Sequence, residues 1–160
     1  MGFQLVRVDD RLIHGQVALG WSRARGIDTI LAVDDKVAKD SFQCSLLKMA
    51  TPAGVKSFIL DEDSAEKNIK SGMYDRKKVM LLVKGPRTLL DLINREIEIK
   101  EVNIGNLCSA AGKEKLLSHV YADKEELELW KEISARGIKM YAQTVPNTPV
   151  ADFNEVLRKR

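Results

Sequence analysis

The sequence predicts an α/β fold: a single domain of residues 1–160 built on an open, twisted, mostly parallel sheet of about seven strands, with helices on both faces. Three observations carry that reading. Strand-like runs alternate with segments of helical periodicity along the chain, the order that builds parallel sheets through crossovers. Two runs, Ile30-Leu31-Ala32-Val33 and Val79-Met80-Leu81-Leu82-Val83, are apolar at every position, as strands covered on both faces are. The 160 residues are 44% hydrophobic and 31% charged, enough to bury a core without disulfides or a structural metal.

The elements follow in order. A strand over 3–8 precedes a helical stripe of Val17, Trp21 and Ala24. A second strand over 29–33 precedes the stripe Phe42, Leu46 and Met49, which Thr51-Pro52 should stop. Strands over 55–60 and 78–83 come next. Pro86 then suits the first turn of a helix carrying Leu89, Leu90 and Ile93. A strand over 101–104 leads into the small-residue loop 105–113, and a short strand is expected over 119–121. Asp123 with Glu126 three residues on resembles a capping box before Leu127, Trp130 and Ile133, and Gly137 suits the helix end. The last strand is expected over 138–145, with one sheet carrying all seven. Trp21 and Trp130 sit on apolar stripes and are expected in the core.

Composition excludes several classes of function. The net charge is +3, but 26 basic residues are interleaved with 23 acidic ones, so no polybasic tract exists to grip nucleic acid. Cys44 and Cys108 are far apart and lack histidines at ligand spacing, which gives reduced thiols and no metal site. No cofactor fingerprint occurs: the loop 105–113 has Leu107 and Glu114 where a phosphate-binding P-loop needs glycine and Ser or Thr. The densest apolar run, 79–83, is far shorter than the roughly 20 residues that cross a bilayer. A cytoplasmic protein without direct membrane insertion is expected.

The chemistry concentrates in Asp9-Asp10-Arg11-Leu12-Ile13-His14-Gly15-Gln16-Val17, where a strand gives way to a helix. Reactive groups of open α/β sheets collect at such strand ends. The first N–H groups of the helix lack intrahelical partners, and Gly15 and Gln16 would turn theirs toward an anion. Arg11 adds a planar cationic fork that matches phosphate geometry. A neutral imidazole nitrogen of His14 is a competent nucleophile toward phosphorus. His14 is the expected nucleophile, with Arg11, Gly15 and Gln16 around the phosphate. Asp9 or Asp10 could hold Arg11 or orient the imidazole, and spacing does not choose between them. Asp34-Asp35 reads as a helix cap. The loop 105–113 is expected to border His14 at the same sheet edge.

The run Arg7 to Val17 followed by Trp21 resembles the active-site signature of the IIB component of the mannose/fructose/sorbose family of the bacterial sugar phosphotransferase system. Resembling segments continue in order along the chain: 33–40, 46–50, 52–55, 79–82 and 102–105. One departure is Cys108 in Gly105-Asn106-Leu107-Cys108, where members often carry a histidine. The resemblance implies that His14 takes a phosphoryl group, on Nδ1, from the phosphohistidine of a IIA partner. It then passes the group to a hexose or amino sugar held by the membrane subunits IIC and IID. Arg11 would correspond to the family's phosphate-holding arginine and Asp9 to its acidic neighbour, which makes the expected catalytic set His14, Arg11 and Asp9, with Arg11, Gly15, Gln16 and Asp10 around the phosphate. It also implies a place at the permease, peripheral to the membrane. The alternatives are a non-catalytic regulator of the same fold, switched by phosphorylation of His14, and an acid/base enzyme acting on a small phosphorylated metabolite.

Overall fold

Alternating strands and helices make up the structure, a computed structural model that describes residues 2–160. The strands are β1 (Leu5–Val8), β2 (Thr29–Val33), β3 (Lys56–Leu60), β4 (Val79–Val83), β5 (Glu101–Ile104), β6 (Glu114–Leu117), β7 (Val120–Ala122), β8 (Lys139–Ala142) and β9 (Ala151–Asp152). The helices are α1 (Gly15–Arg25), α2 (Asp35–Ala38), α3 (Ser41–Met49), α4 (Glu62–Lys70), α5 (Pro86–Asn94), α6 (Lys124–Ala135) and α7 (Phe153–Arg158).

Seven strands form one sheet in the order β3-β2-β4-β1-β5-β8-β9, parallel throughout except for β9, which runs antiparallel to β8. Every residue of β2 and β4 is buried, which is why both read as unbroken apolar runs. Alternation along the strands divides the core. Val6, Val8, Leu31, Leu81 and Ile104 face α4, α5, α6 and α7, while Leu5, Ile30, Ala32, Met80 and Leu82 face α1, α2 and α3. The chain thus leaves β1 on one face and β4 on the other. Adjacent strands whose connections part in this way open a crevice at their carboxyl ends, and the loop after β1 lies there.

Punctuation settles most helix ends as the sequence predicts. Asp123 and Glu126 make a reciprocal capping box at α6, Pro86 opens α5, α3 ends at Met49, and Gly137 takes φ 82° behind α6. Trp21 and Trp130 are fully buried, the latter edge-on to Phe153 at 5.2 Å.

Four expectations are corrected. The strand expected over 119–121 lies outside the main sheet: β7 pairs with β6 in a separate antiparallel hairpin, and His119 is in its turn at φ 69°. The main sheet's seventh strand is instead β9, two residues that carry no periodic signal. The strand expected over 138–145 stops at Ala142, and the chain then loops away. The stripe Phe42, Leu46 and Met49 faces solvent, at 66%, 49% and 82% exposure, and Ala24 is exposed as well. α3 instead packs through Leu47 at its inner side, with Ala50 just beyond its end, against the core under α1. Periodicity finds a stripe but not what covers it.

Candidate functional site

His14 is the N-cap of α1, in extended conformation, and its side chain makes no capping hydrogen bond. Five other helices place an aspartate there: Asp34, Asp40, Asp61, Asp123 and Asp152 each accept from a backbone N–H of the first turn. The start of α1 therefore keeps its N–H groups and the positive end of its dipole open beside an exposed imidazole.

The loop that presents His14 is pinned by its apolar residues. Leu12 and Ile13 are each 4% exposed and pack with Ala18, Trp21 and Val37, leaving Arg11 and His14 facing outward. Leu12 N–H closes a turn on the Asp9 carbonyl at 2.9 Å, and Leu12 sits at φ 55°, a left-handed conformation that costs about 1 kcal/mol or more for a branched residue. Burial of its side chain, worth about 1.5–3 kcal/mol, offsets that strain.

The two aspartates, left open by spacing, have different partners. Asp9 is 1% exposed, and its carboxylate lies between two guanidiniums. Oδ1 accepts from Arg11 Nε at 3.2 Å and from the Arg11 backbone N–H at 3.1 Å, while Oδ2 accepts from Arg7 Nη2 at 3.0 Å. Asp9 thus holds Arg11. Asp10 turns the other way: its carboxylate accepts from Cys108 N–H at 2.6 Å and from the Asn106 amide at 3.4 Å. It fastens the loop 105–113 beside the His14 loop, as that loop's expected position requires. Neither carboxylate is hydrogen-bonded to the His14 ring among the described residues.

Beneath Asp9 lies a group that the motif reading passed over. Arg7 is 1% exposed, on the β1 face that carries Leu5, under the Trp21 ring at 5.5 Å from its centroid. Four of its five N–H donors are engaged: by Asn103 Oδ1, the Gln143 carbonyl at 3.0 Å, Asp9 Oδ2, and the Thr144 carbonyl at 2.9 Å. Asn103 stands beside Arg7 in register on β5. Burial lowers the Arg7 pKa from its ordinary value, and the charge of Asp9 works against that. A charged residue inside the apolar strand Leu-Val-Arg-Val was the available signal.

A second cluster lies across the sheet edge. A crevice of about 600 Å³ at the ends of β2 and β4 is lined by Asp35, Lys36, Lys84 and Glu62 among others. Glu62, 8% exposed, has Arg95 Nε at 3.6 Å and lies beside Asp91 and Asp35. Burial first, then those two carboxylates, push its pKa up to about 7. Among the described residues no three or more His, Cys, Asp or Glu side chains converge to hold a metal, and no helix is long and apolar enough to cross a membrane.

Comparison with known proteins identifies the family and the fold. Residues 3–160 match the family model described as PTS system sorbose subfamily IIB component. The sorbose-specific EIIB component of Lacticaseibacillus casei is 35% identical over 149 residues, 93% of this chain and 91% of that protein. The mannose-specific EIIAB component of Escherichia coli is 32% identical over 97% of this chain, which spans only 48% of that longer protein. The crystal structure of the IIBSor domain of the sorbose permease from Klebsiella pneumoniae superposes with a TM-score of 0.93 at 28% identity, over 99% of this chain and 98% of that one. The N-acetylgalactosamine-specific IIB component 1 of Escherichia coli does so at 0.88 and 29% identity, over 94% and 99%.

Proposed function

The chain belongs to the sorbose-subfamily IIB components of the sugar phosphotransferase system, and on that footing we propose that it is a phosphocarrier whose phosphorylated residue is His14. It works as one domain in the cytoplasm, peripheral to a membrane permease. The observation that carries the reading is the juxtaposition at α1: an exposed imidazole at an uncapped helix start, three residues from an arginine held by a buried carboxylate.

The transfer is two displacements at phosphorus. In the first, the Nδ1 lone pair of His14 attacks the phosphorus of a phosphohistidine on a IIA partner. The donor's P–N bond breaks and its electron pair returns to the donor imidazole. In the second, a hydroxyl oxygen of a hexose or amino sugar, held by the IIC and IID subunits, attacks the phosphorus on His14. The P–N bond breaks back onto Nδ1, and the hydroxyl proton leaves to solvent or a base of the permease. Nothing is oxidised or reduced. Positioning and charge supply the catalysis. Arg11 and the N–H groups of Gly15 and Gln16 face the phosphoryl oxygens, Asp9 orients Arg11, and Asp10 acts only through the loop it fastens. The exposed stripe of Phe42, Leu46 and Met49 ends beside Ala50, whose carbonyl would lie 3.7 Å from a side chain at Gly15. A protein reaching His14 from that side would cover it.

The test is incubation with phosphoenolpyruvate, the two general phosphotransferase proteins and a cognate IIA. An acid-labile adduct should form on His14 and be absent in His14→Ala. An unlabelled wild-type chain beside an active IIA would overturn the reading. Sugar phosphorylation with permease-containing membranes then separates a carrier from a phosphorylation-switched regulator.

A further inference from the structure

We propose that Arg7 is a positioning residue for this phosphoryl transfer: by binding one oxygen of Asp9 it fixes the direction of Arg11 and offsets the Asp9 charge that would otherwise cancel that of Arg11. The inference rests on the assignment of His14 as the phosphorylated residue. Arg7 itself is sealed under Trp21 at 1% exposure, so it touches no phosphoryl group.

Two physical consequences follow from the sharing of Asp9. The Arg11 side chain is 40% exposed and long, and among the described residues its hydrogen-bond partner is Asp9. Its guanidinium therefore points where the Asp9 carboxylate points. That carboxylate is held from behind, because Arg7 Nη2 donates to Oδ2 at 3.0 Å, closer than Arg11 Nη2 at 3.4 Å, while three of the other Arg7 donors are tied to Asn103 and to the carbonyls of Gln143 and Thr144. The second consequence is electrostatic. An Arg11–Asp9 pair alone sums to zero charge and offers little to a dianionic phosphoryl group, whereas Arg7, Asp9 and Arg11 together sum to +1. Arg7 and Asp9 are each 1% exposed, so their interaction is screened less than it would be in water.

Gly105 shows how tightly the pair is fitted. A Cβ at that position would collide with the Arg7 guanidinium and lie 2.9 Å from Asp9 Oδ2. An alanine there therefore displaces the pair without deleting a charge.

A small donor, potassium phosphoramidate, tests this without any partner protein. The rate of acid-labile phosphorylation of His14 is measured for the wild type, Arg7→Gln, Arg11→Ala, the double variant and Gly105→Ala, with circular dichroism confirming the fold. Arg7→Gln should slow labelling on the order of 10- to 100-fold at saturating donor. The double variant should fall below Arg11→Ala by much less than Arg7→Gln falls below the wild type, because the orienting role of Arg7 goes with Arg11 and only its charge remains to be lost. Gly105→Ala should follow Arg7→Gln, and it carries the test if Arg7→Gln does not fold. Wild-type rates in a folded Arg7→Gln or Gly105→Ala, or a further loss in the double variant equal to that of Arg7→Gln alone, would refute the positioning role while leaving the His14 assignment intact. A wild-type chain that is not labelled on His14 at all would remove both.

Discussion

Asp9 and Glu62 are both carboxylates taken out of water, at 1% and 8% exposure, and their neighbours differ in sign. Asp9 has a guanidinium on each oxygen, Arg7 at 3.0 Å and Arg11 at 3.2 Å. Glu62 has one, Arg95 at 3.6 Å, which it shares with Asp63 and Glu66, and two further carboxylates beside it. Removing a charge from water costs several kcal/mol unless another charge or a proton compensates. At Asp9 the compensation is cationic and permanent. At Glu62 it is a proton, held up to about pH 7. The first arrangement suits a site whose charge must stay fixed while a phosphoryl group arrives and leaves; the second makes a part of the fold that titrates near neutrality.

The largest effect should come from making Asp9 resemble Glu62. Arg7→Met leaves a buried carboxylate with a single, half-exposed cation and strands Asn103, and should lower unfolding stability by about 3–5 kcal/mol, read from urea denaturation midpoints. Adding Asp9→Asn should return part of that loss, since the uncompensated charge goes with it. A loss below about 1 kcal/mol would mean that the two carboxylates are not held differently.

The next effect belongs to Glu62. Its folded pKa of about 7 stands above the ordinary 4.5, so the folded chain binds that proton more tightly than the unfolded chain does. The resulting stability is fully present below about pH 4.5 and is lost as pH rises through about 7. At about 1.4 kcal/mol per unit the shift sets an upper bound of roughly 3.5 kcal/mol, and solvent in the crevice reduces the loss to the order of 2–3 kcal/mol. Glu62→Gln cannot ionise and keeps a group able to hydrogen-bond Asp91, so its stability should change less over that window. Parallel pH profiles for the two proteins would remove Glu62 as the titrating group.

How far the sequence anticipates this contrast depends on the range of the interactions. Local chemistry was legible: the Asp123–Glu126 box, Pro86 at a helix start, the apolar runs of β2 and β4, and the turn that presents Arg11 and His14 all depend on residues within about a helical turn. Non-local chemistry was not. Arg7 reads as an ordinary charge in a strand until Trp21, Asn103 and the carbonyls of Gln143 and Thr144 close over it, and those come from 14, 96, 136 and 137 residues away. The choice between Asp9 and Asp10 needed the loop 105–113, which arrives from β5. The outward face of α3 and the transfer of residues 120–122 to a separate hairpin fail for the same reason, because a period names a face and not its neighbour. The resemblance over residues 7–17 reached the family, but it passed over Arg7, which stands at the start of that stretch.

The smallest effect tests the anion seat itself, apart from Arg7 and from catalysis. If the start of α1 is an uncapped helix end facing a fixed positive charge, a carboxylate placed at its N-cap should find the partners that other helices give to Asp34, Asp61 and Asp123. His14→Asp should then abolish phosphorylation while raising stability by about 0.5–2 kcal/mol, the range of an N-cap aspartate with a nearby arginine. The reverse change, Asp123→Ala, should cost a similar amount at α6, where the box is already complete. The two midpoints, measured side by side, separate an open seat from an ordinary helix start. A gain at position 14 means that the native chain forgoes a cap to keep those N–H groups free. Neutrality or loss there means that they already have partners, and the phosphoryl group would have to be held by Arg11 alone.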